Sequence, residues 1–490
     1  MNCDQDGTEA THLLRWASLP GEIQSMILGL LKQHRGRSSY AAVSREWQAA
    51  IEAESFGQIQ LGNNDLQEFE EVARRKRRKL LIKRIWLNIE LERYGCRSCQ
   101  RSEPDYMVRK NEKTISEKIL ALFTFLRGWR RGGGGDLSLE LNAYSPSDRE
   151  HWHQHCYFGG PSEDTQTREL HDPKHGWYYG RKVGAISGEA IERLFGGWGH
   201  FIGFRNCQFP KVTAITAFTV RRQFRRQFFP SDFQSLLSRF PRLQCLVYEP
   251  WRQWFGPVQE YLWDPGYSSM IEKTFPKGLK NVSVFEDFNE DYAARLATDP
   301  LNVVMFRQGI DPVRITTPRV GAAFASRSLK VEELSVSFMA DARDFLDACQ
   351  PGWRWEHLRS LVLTSRLMTP SGRQVEVTHL LRDAGVIAMR MPELQTMALW
   401  NGAKGEACAF TYRRGDGSIT WRATWDMKLE LCVIEAWRRV IYQYSRQAFR
   451  AKSEIMGSRI LPHGDAIHHL GLPAGVIDPV SLWQIREEHS

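Results

Sequence analysis

A short phrase recurs along this chain, and an alternating apolar segment follows it each time. The phrase reads FPKV from Phe209, FPRL from Phe240, FPKGL from Phe275 and MPEL from Met391. Alternation of apolar and polar residues is typical of strands, and self-similarity at a period of about 20 to 50 residues is typical of repeat architectures. VEELSVSF and WEHLRSLVLTS, from Val331 and Trp355, read alike without the proline. The pattern therefore predicts repeated units that each contribute one strand.

Helical patterns lie between most of these strands. Examples are SDFQSLLSRF, DARDFLDACQ and VTHLLRDAGVIAMRM, which begin at Ser231, Asp341 and Val377. Alternating strands and helices favour a largely parallel sheet. We therefore expect an α/β chain, α+β overall, in which residues 56–490 form an irregular, leucine-rich-repeat-like β-loop-α stack with a curved sheet. A non-repetitive α/β domain is the alternative interpretation.

The two ends of the predicted stack have their own patterns. GQIQL, KRIWLNIEL and DLSLELNAY predict three earlier strands, with a helix at KTISEKILALFTFLRGW between the last two. Residues 408–450 predict a hairpin that turns at Gly415 to Gly417, followed by a helix. A repeat stack exposes an apolar end, so we expect this helix to cap it.

Composition excludes several classes of protein. Hydrophobic residues make up 42% of the 490 residues and charged residues 25%, which is typical of a globular protein rather than a disordered one. Nine cysteines in so long a chain do not suggest a secreted disulfide scaffold. The N-terminus MNCDQDGTEATH carries acids and no apolar core, so we expect no signal peptide, and the lack of any run near 18 apolar residues argues against a membrane span. A net charge of +9 is compatible with an acidic partner and does not demand nucleic acid. We expect an intracellular location in the nucleus, the cytoplasm or both.

The segment SLPGEIQSMILGLL, from Ser18, is more apolar along one side than a surface helix requires. It predicts an amphipathic helix, and a second helix capped by Ser39 is expected after it. Residues 1–12 are expected to be a flexible tail, and residues 13–55 the helices. About 40 residues cannot bury so much apolar surface alone. The face either packs on the rest of the chain or receives another protein.

The sequences LPGEIQSMIL and YAAVSREWQAAI resemble the F-box motif. The matching positions are Leu19, Pro20, Glu22, Ile23, Ile27, Leu28, Val43, Ser44, Arg45 and Trp47. Tyr40 departs from the pattern, which more often has an aliphatic residue there. IWLNIELERYGCRSC, LSLELNAYSPSDREHW and MPELQTMALWNG also look like fungal F-box proteins with an uncharacterised C-terminal region.

The resemblance implies a non-catalytic substrate-receptor subunit of a Skp–cullin–F-box ubiquitin ligase. Its partners would be the Skp adaptor, the cullin scaffold and an unidentified protein substrate. The residues expected to contact the adaptor are Leu19, Pro20, Ile23, Ile27, Leu28, Leu31, Val43 and Trp47. Two alternatives stay open: an F-box scaffold that acts outside ubiquitination, and a nuclear protein that binds nucleic acid through a basic cluster.

That basic cluster is ARRKRRKLLIKR, from Ala73 to Arg84. It is interpreted first as a solvated helix face, because Glu68, Glu70 and Glu71 lie just upstream. Nuclear import and phosphate binding are the alternatives.

Few residues in the sequence have the type and spacing of a metal-binding or catalytic site. Cys96 and Cys99 have the spacing of half a zinc site, and the segment HWHQHC from His151 could supply the rest. A single CxxC is weak, so we favour two ordinary cysteines and predict no metal and no cofactor. RRGGGGD lacks the lysine of a phosphate-binding loop, and we find no spacing that demands a general acid and base.

The aromatic stretch that begins at Trp251 is the candidate substrate contact, through Trp251 and Trp254.

Overall fold

The structure is a computed structural model. It describes residues 16–32, 37–129, 136–156, 171–196, 201–204, 207–254, 256–298 and 313–488. The predicted tail at residues 1–12 and the glycine-rich stretch at 130–135 lie outside these ranges.

A twelve-stranded, mostly parallel sheet organises the fold. Each strand up to β11 pairs in parallel with the strand that precedes it in the sheet, β12 is antiparallel to both of its neighbours, and β14 pairs in parallel with β13. A separate hairpin consists of β4 and β5. The strands are β1 Gln58–Leu61, β2 Arg84–Glu90, β3 Ser138–Tyr144, β4 Trp177–Tyr178, β5 Arg181–Lys182, β6 Ala217–Val220, β7 Cys245–Tyr248, β8 Asn281–Phe285, β9 Glu333–Asp341, β10 Ser360–Thr364, β11 Thr396–Ala403, β12 Glu406–Arg413, β13 Ser418–Ala423 and β14 Arg450–Ile455.

Helices connect the strands. A π-helical turn, Gln259–Trp263, joins α9 to α10, and short 3-10 helices lie at Trp16–Ser18, Arg37–Ala42 and Pro173–His175. The α-helices are α1 Gly21–Lys32, α2 Arg45–Ser55, α3 Leu66–Ala73, α4 Lys76–Leu81, α5 Asp105–Leu126, α6 Pro146–Glu150, α7 Gly188–Phe195, α8 Pro230–Leu237, α9 Gly256–Val258, α10 Asp264–Lys273, α11 Glu290–Ala297, α12 Pro318–Ser328, α13 Ala342–Asp347, α14 Gln374–Ala388, α15 Leu431–Tyr444, α16 His463–Leu470 and α17 Pro479–Glu487.

The central strands of the sheet, from β9 to β12, are buried on both faces. In β10, Leu361 and Leu363 point into one core and Val362 into a second. The first core also receives α5, α8, α10, α12 and α14, which lie in connections between sequential strands of the sheet. The second core receives α7, α11, α16 and α17. Burial on both faces explains why β10 reads as a near-continuous apolar run, whereas β6 and β7 alternate buried with half-buried residues.

The predicted alternation of strands and helices is confirmed as a mixed α/β fold with a large, mostly parallel sheet. The strand order follows the chain order, as it would in a stack of β-loop-α units. The relation to leucine-rich repeats and the curvature of the sheet stay predictions.

The C-terminal hairpin is confirmed, and the helix after it packs at the same end of the sheet. β12 and β13 pair in the expected antiparallel register. Helix α15 lies beside α14, where the Trp437 indole donates to the carbonyl of Leu381 at 2.9 Å and packs on Phe410 and Tyr412, and its role as a cap stays a prediction. The outer edge is β14, which is mostly exposed. Its charged side chains, Arg450 and Lys452, blunt this edge against pairing with another chain.

Buried charged residues line the carboxyl ends of the parallel strands. Arg222, just beyond β6, is fully buried and forms ion pairs with Asp287 and with Glu488, the latter at 2.7 Å. Asp287 also accepts from Nε2 of His463 at 3.0 Å. This edge is where open α/β sheets commonly bind ligands. Here these charged groups pair with one another, so they join the C-terminal helices to the sheet.

His463 makes the stability of this fold dependent on pH. Burial lowers its pKa, but the nearby carboxylates of Glu290 and Asp287 outweigh burial and raise the pKa to about 9. A pKa above the unfolded value of about 6.5 stabilises the folded state fully below that pH, and this stabilisation is lost as pH rises through 9. We expect the free energy of unfolding, measured by urea titration, to fall by roughly 3 kcal/mol between pH 6 and pH 10.

The variant His463→Gln is the control for this pH dependence, because it removes the titrating ring and keeps a hydrogen-bond donor. Its free energy of unfolding should decline less with pH than that of the wild type. Equal declines in the two proteins would assign the pH dependence to other groups.

Candidate adaptor-binding surface

The N-terminal helices form a small module. Helix α1 follows Pro20, and α2 starts after Ser44, whose hydroxyl accepts a hydrogen bond from the backbone N–H of Trp47 at 3.2 Å. The sequence predicted Ser39 as the cap of the second helix, and this was wrong. Ser39 lies inside the 3-10 helix Arg37–Ala42, because Ser44 offers the later cap.

Helix α2 connects the module to the rest of the chain. Ile51 is buried, and Glu52 forms an ion pair with Arg78 of α4 at 3.0 Å. Burial raises the pKa of Glu52, but the hydrogen bond from Arg78 outweighs it and the pKa is lowered from its ordinary value. The Arg78 guanidinium also lies over the Phe56 ring. One side of α2 is therefore used within this protein.

Trp47 is packed inside the module. Its ring meets Trp16 edge-on at 4.9 Å and Tyr40 at 6.4 Å. The Trp16 indole donates to the Glu46 carboxylate at 2.9 Å, which fixes the segment before α1 against α2. Trp47 is half-buried against the segments that precede α1 and α2, and its predicted contact with the adaptor stays a prediction.

The outer face of α1 is apolar and exposed. Ile23 is 40% exposed, Met26 65% and Leu30 71%, and with half-buried Ile27 they have the i, i+3, i+4, i+7 spacing of one helical stripe. Val43, before α2, is 61% exposed. We call Ile23, Met26, Leu30 and Val43 the exposed apolar face.

The predicted contact residues divide into two groups. Pro20 is exposed, as Ile23 and Val43 are, whereas Leu19, Ile27, Leu28 and Leu31 are half-buried. Met26 and Leu30 were not among the predicted contacts, although their helical spacing from Ile23 places them on the same side. A match to a sequence motif does not separate the residues that hold a module together from those that face outward.

The predicted substrate contacts, Trp251 and Trp254, are buried, each with 2% of its surface exposed. The Trp251 indole donates to the carbonyl of Arg222 at 2.7 Å, and the Arg222 guanidinium lies over its ring. Arg252 covers Trp254 in the same way. The prediction is therefore corrected: neither ring is available to a partner in this conformation, because the loop packs onto its own sheet.

Part of the basic cluster is used within the chain. Arg78 pairs with Glu52, Lys79 lies over the Trp129 ring and Arg84 pairs with Glu140. Arg74 and Arg77 are exposed, near the start of α4. The exposed part agrees with the first interpretation, a solvated helix face, whereas the contacts with Glu52, Trp129 and Glu140 were not predicted.

An open groove lies on the outer side of the C-terminal hairpin, across β12, β13 and β14. Four basic and two acidic side chains line it. Two of them, Arg422 and Glu454, form an ion pair at 2.5 Å. The charged side chains in this lining are Arg413, Asp416, Arg422, Arg450, Lys452 and Glu454.

Among the residues that the structure describes, no helix has both the length and the apolar character needed to cross a lipid bilayer.

A search of curated proteins found no match to this chain. Residues 274–478 match a family described as a family of unknown function (DUF6546), a region that spans β8 to β14 and excludes the N-terminal helices.

Proposed function

We propose that this protein is a substrate-receptor subunit of a Skp–cullin–F-box ubiquitin ligase. The observation that carries the proposal is the exposed apolar face on a helical module whose sequence resembles the F-box. Covering such side chains by another protein is favourable by about 1.5–3 kcal/mol for each one that is fully buried.

The module is suited to docking because one of its helices contacts the rest of the chain and the other faces solvent. Helix α2 is bound to the body of the protein through Ile51 and the Glu52–Arg78 pair. Helix α1 presents Met26 and Leu30 to solvent. The module is therefore anchored through α2 and presents an apolar face on α1. Recognition of an amphipathic helix by a groove on a partner requires such a face.

In this proposal the chain contributes proximity rather than catalysis. The adaptor and cullin would bring a charged ubiquitin-conjugating enzyme near the large α/β body, which would hold the substrate. Raising the effective concentration of substrate lysines in this way accelerates transfer without a new catalytic group. The groove on β12–β14 replaces the two buried tryptophans as the candidate substrate surface, and its excess of basic side chains favours an acidic segment.

Reconstitution tests the proposal. The purified chain, the Skp adaptor, the cullin scaffold and a ubiquitin-conjugating system are combined, and transfer of ubiquitin to lysines of the chain itself is followed by mass spectrometry. We expect transfer that depends on both adaptor and cullin. Adaptor binding without cullin recruitment or transfer would contradict the ligase role and favour a scaffold that acts outside ubiquitination.

A further inference from the structure

Four side chains with metal-binding chemistry meet at one end of the sheet. They are Cys96, Cys99, His151 and His175, and one ligand atom from each lies within 4.8 Å of the others. Tetrahedral zinc with sulfur at about 2.3 Å and nitrogen at about 2.0–2.1 Å separates its ligand atoms by roughly 3.3–3.8 Å. The four atoms are therefore close to the spacing that one ion would require.

Three separate segments bring these residues together. Cys96 and Cys99 lie in a turn after β2, in which the Ser98 N–H donates to the carbonyl of Gly95 at 3.0 Å. His151 directly follows α6, and His175 ends the 3-10 helix Pro173–His175. Cys99, His151 and His175 are buried, and Cys96 is half-buried.

Hydrogen bonds orient His175 toward the cysteines. Its Nδ1 donates to the carboxylate of Asp172, which also accepts from the Gln154 amide at 2.9 Å. This leaves the lone pair of Nε2 facing Sγ of Cys96, 3.1 Å away. A carboxylate that fixes the far nitrogen of a histidine is the usual support of a metal-binding imidazole.

His151 supplies an independent observation. Its Nε2 lies 3.4 Å from the carbonyl oxygen of Tyr94, which can only accept, so the proton belongs on Nε2. Nδ1 is buried and has no hydrogen-bond partner within the described part of the chain. Burial of a ring nitrogen without a hydrogen-bond partner removes its hydration without compensation, unless the nitrogen binds an ion.

We propose that Cys96, Cys99, His151 and His175 bind one structural zinc ion. Two sulfur and two nitrogen donors select zinc over hard cations, which prefer oxygen. Four protein ligands leave no open position for a reacting water, so the ion stabilises the fold and does not catalyse. Binding releases the two thiol protons and leaves the ligands as two thiolates and two neutral imidazoles.

The segment after His175 explains why a metal is needed there. The β4–β5 hairpin has only two residues in each strand, and Gly176 and Gly184 approach so closely that a Cβ on Gly176 would lie 2.6 Å from Cα of Gly184. So small a hairpin buries little apolar surface of its own, and small elements of this kind commonly depend on a metal or a disulfide. The zinc would connect it to the turn after β2 and to α6.

Elemental analysis of the purified, reduced full-length chain tests the site. We expect about one zinc per chain. The variant Cys96→Ser/Cys99→Ser should lose bound zinc, whereas Cys207→Ser/Cys432→Ser, which removes two cysteines elsewhere, should keep it. Cobalt added to the metal-free protein should give the thiolate-to-metal absorption of a tetrahedral site.

Asp172→Asn provides a variant that leaves all four ligands in place. Loss of its support to His175 should weaken zinc affinity about 10–100-fold, measured by competition with a chromophoric chelator. The proposal would be overturned by reduced, folded wild-type protein that binds neither zinc nor cobalt. Zinc binding that survives the double cysteine variant would overturn it equally.

Discussion

Replacing Ile23 and Leu30 together by alanine should weaken binding to the Skp adaptor roughly a hundred-fold. Both side chains are exposed in the free chain, Leu30 more than Ile23, so the change removes apolar surface that the complex would bury. Losing about 1.5 kcal/mol at each position gives about 3 kcal/mol, and each 1.4 kcal/mol is a factor of ten in Kd. Isothermal titration calorimetry with the purified adaptor measures this.

A matched control comes from α14, where Val375 and Val386 are similarly exposed, at 64% and 58%. Val375→Ala/Val386→Ala removes apolar surface of the same kind from a helix outside the N-terminal module. Its affinity for the adaptor should equal that of the wild type. If the control and the α1 variant lost affinity to the same degree, the exposed apolar face would not be the docking surface.

Removing the buried Arg222 side chain should cost about 3–5 kcal/mol of folding stability, because the buried carboxylates of Asp287 and Glu488 would each lose an ion-pair partner. His463 would remain beside the first and Arg225, at 3.3 Å, beside the second. In the wild type its guanidinium contacts Asp287 and both carboxylate oxygens of Glu488, at 2.7 and 2.8 Å to the latter. These attractive contacts outweigh burial and raise the pKa of Arg222 above its ordinary value. Arg222→Ala should therefore lower the midpoint of urea unfolding strongly.

Arg354→Ala is the comparison for Arg222→Ala. Arg354 pairs with Glu356 at 2.9 Å, but both side chains are more than half exposed. An exposed pair of this kind contributes about 0–1 kcal/mol, so the midpoint should hardly move. Equal shifts in the two variants would mean that the buried network does not hold the C-terminal helices on the sheet.

The strands and crossover helices could be predicted from the sequence because each depends on a local pattern of apolar and polar residues. In β10 the consecutive residues of the run LVL are apolar, so both faces of the strand are apolar. The segment WEHLRS before this run marks the turn that precedes the strand. The helix at Lys113 has its own amphipathic period. Its start at Asp105 was not predicted, because the five polar residues RKNEK, from Arg109 to Lys113, separate its first turn from the apolar pattern.

Features that depend on distant parts of the chain could not be read in the same way. The aromatic stretch at Trp251 suggested a contact surface, but nothing local shows that Arg222, 29 residues earlier, covers it. His175 lies 79 residues beyond Cys96 with no motif to link them. The sequence therefore offered the two cysteines and, in the segment HWHQHC, His151, but nothing local pointed to His175 as the fourth residue of the proposed site.

Direct titration of the wild-type chain with purified Skp adaptor is the measurement that tests the central proposal. Burial of the exposed apolar face predicts a saturable one-to-one complex with a negative heat-capacity change. The absence of binding by a chain that circular dichroism shows to be folded would contradict the proposal. The outer face of α1 would then have another partner, and the resemblance to the F-box would not extend to function.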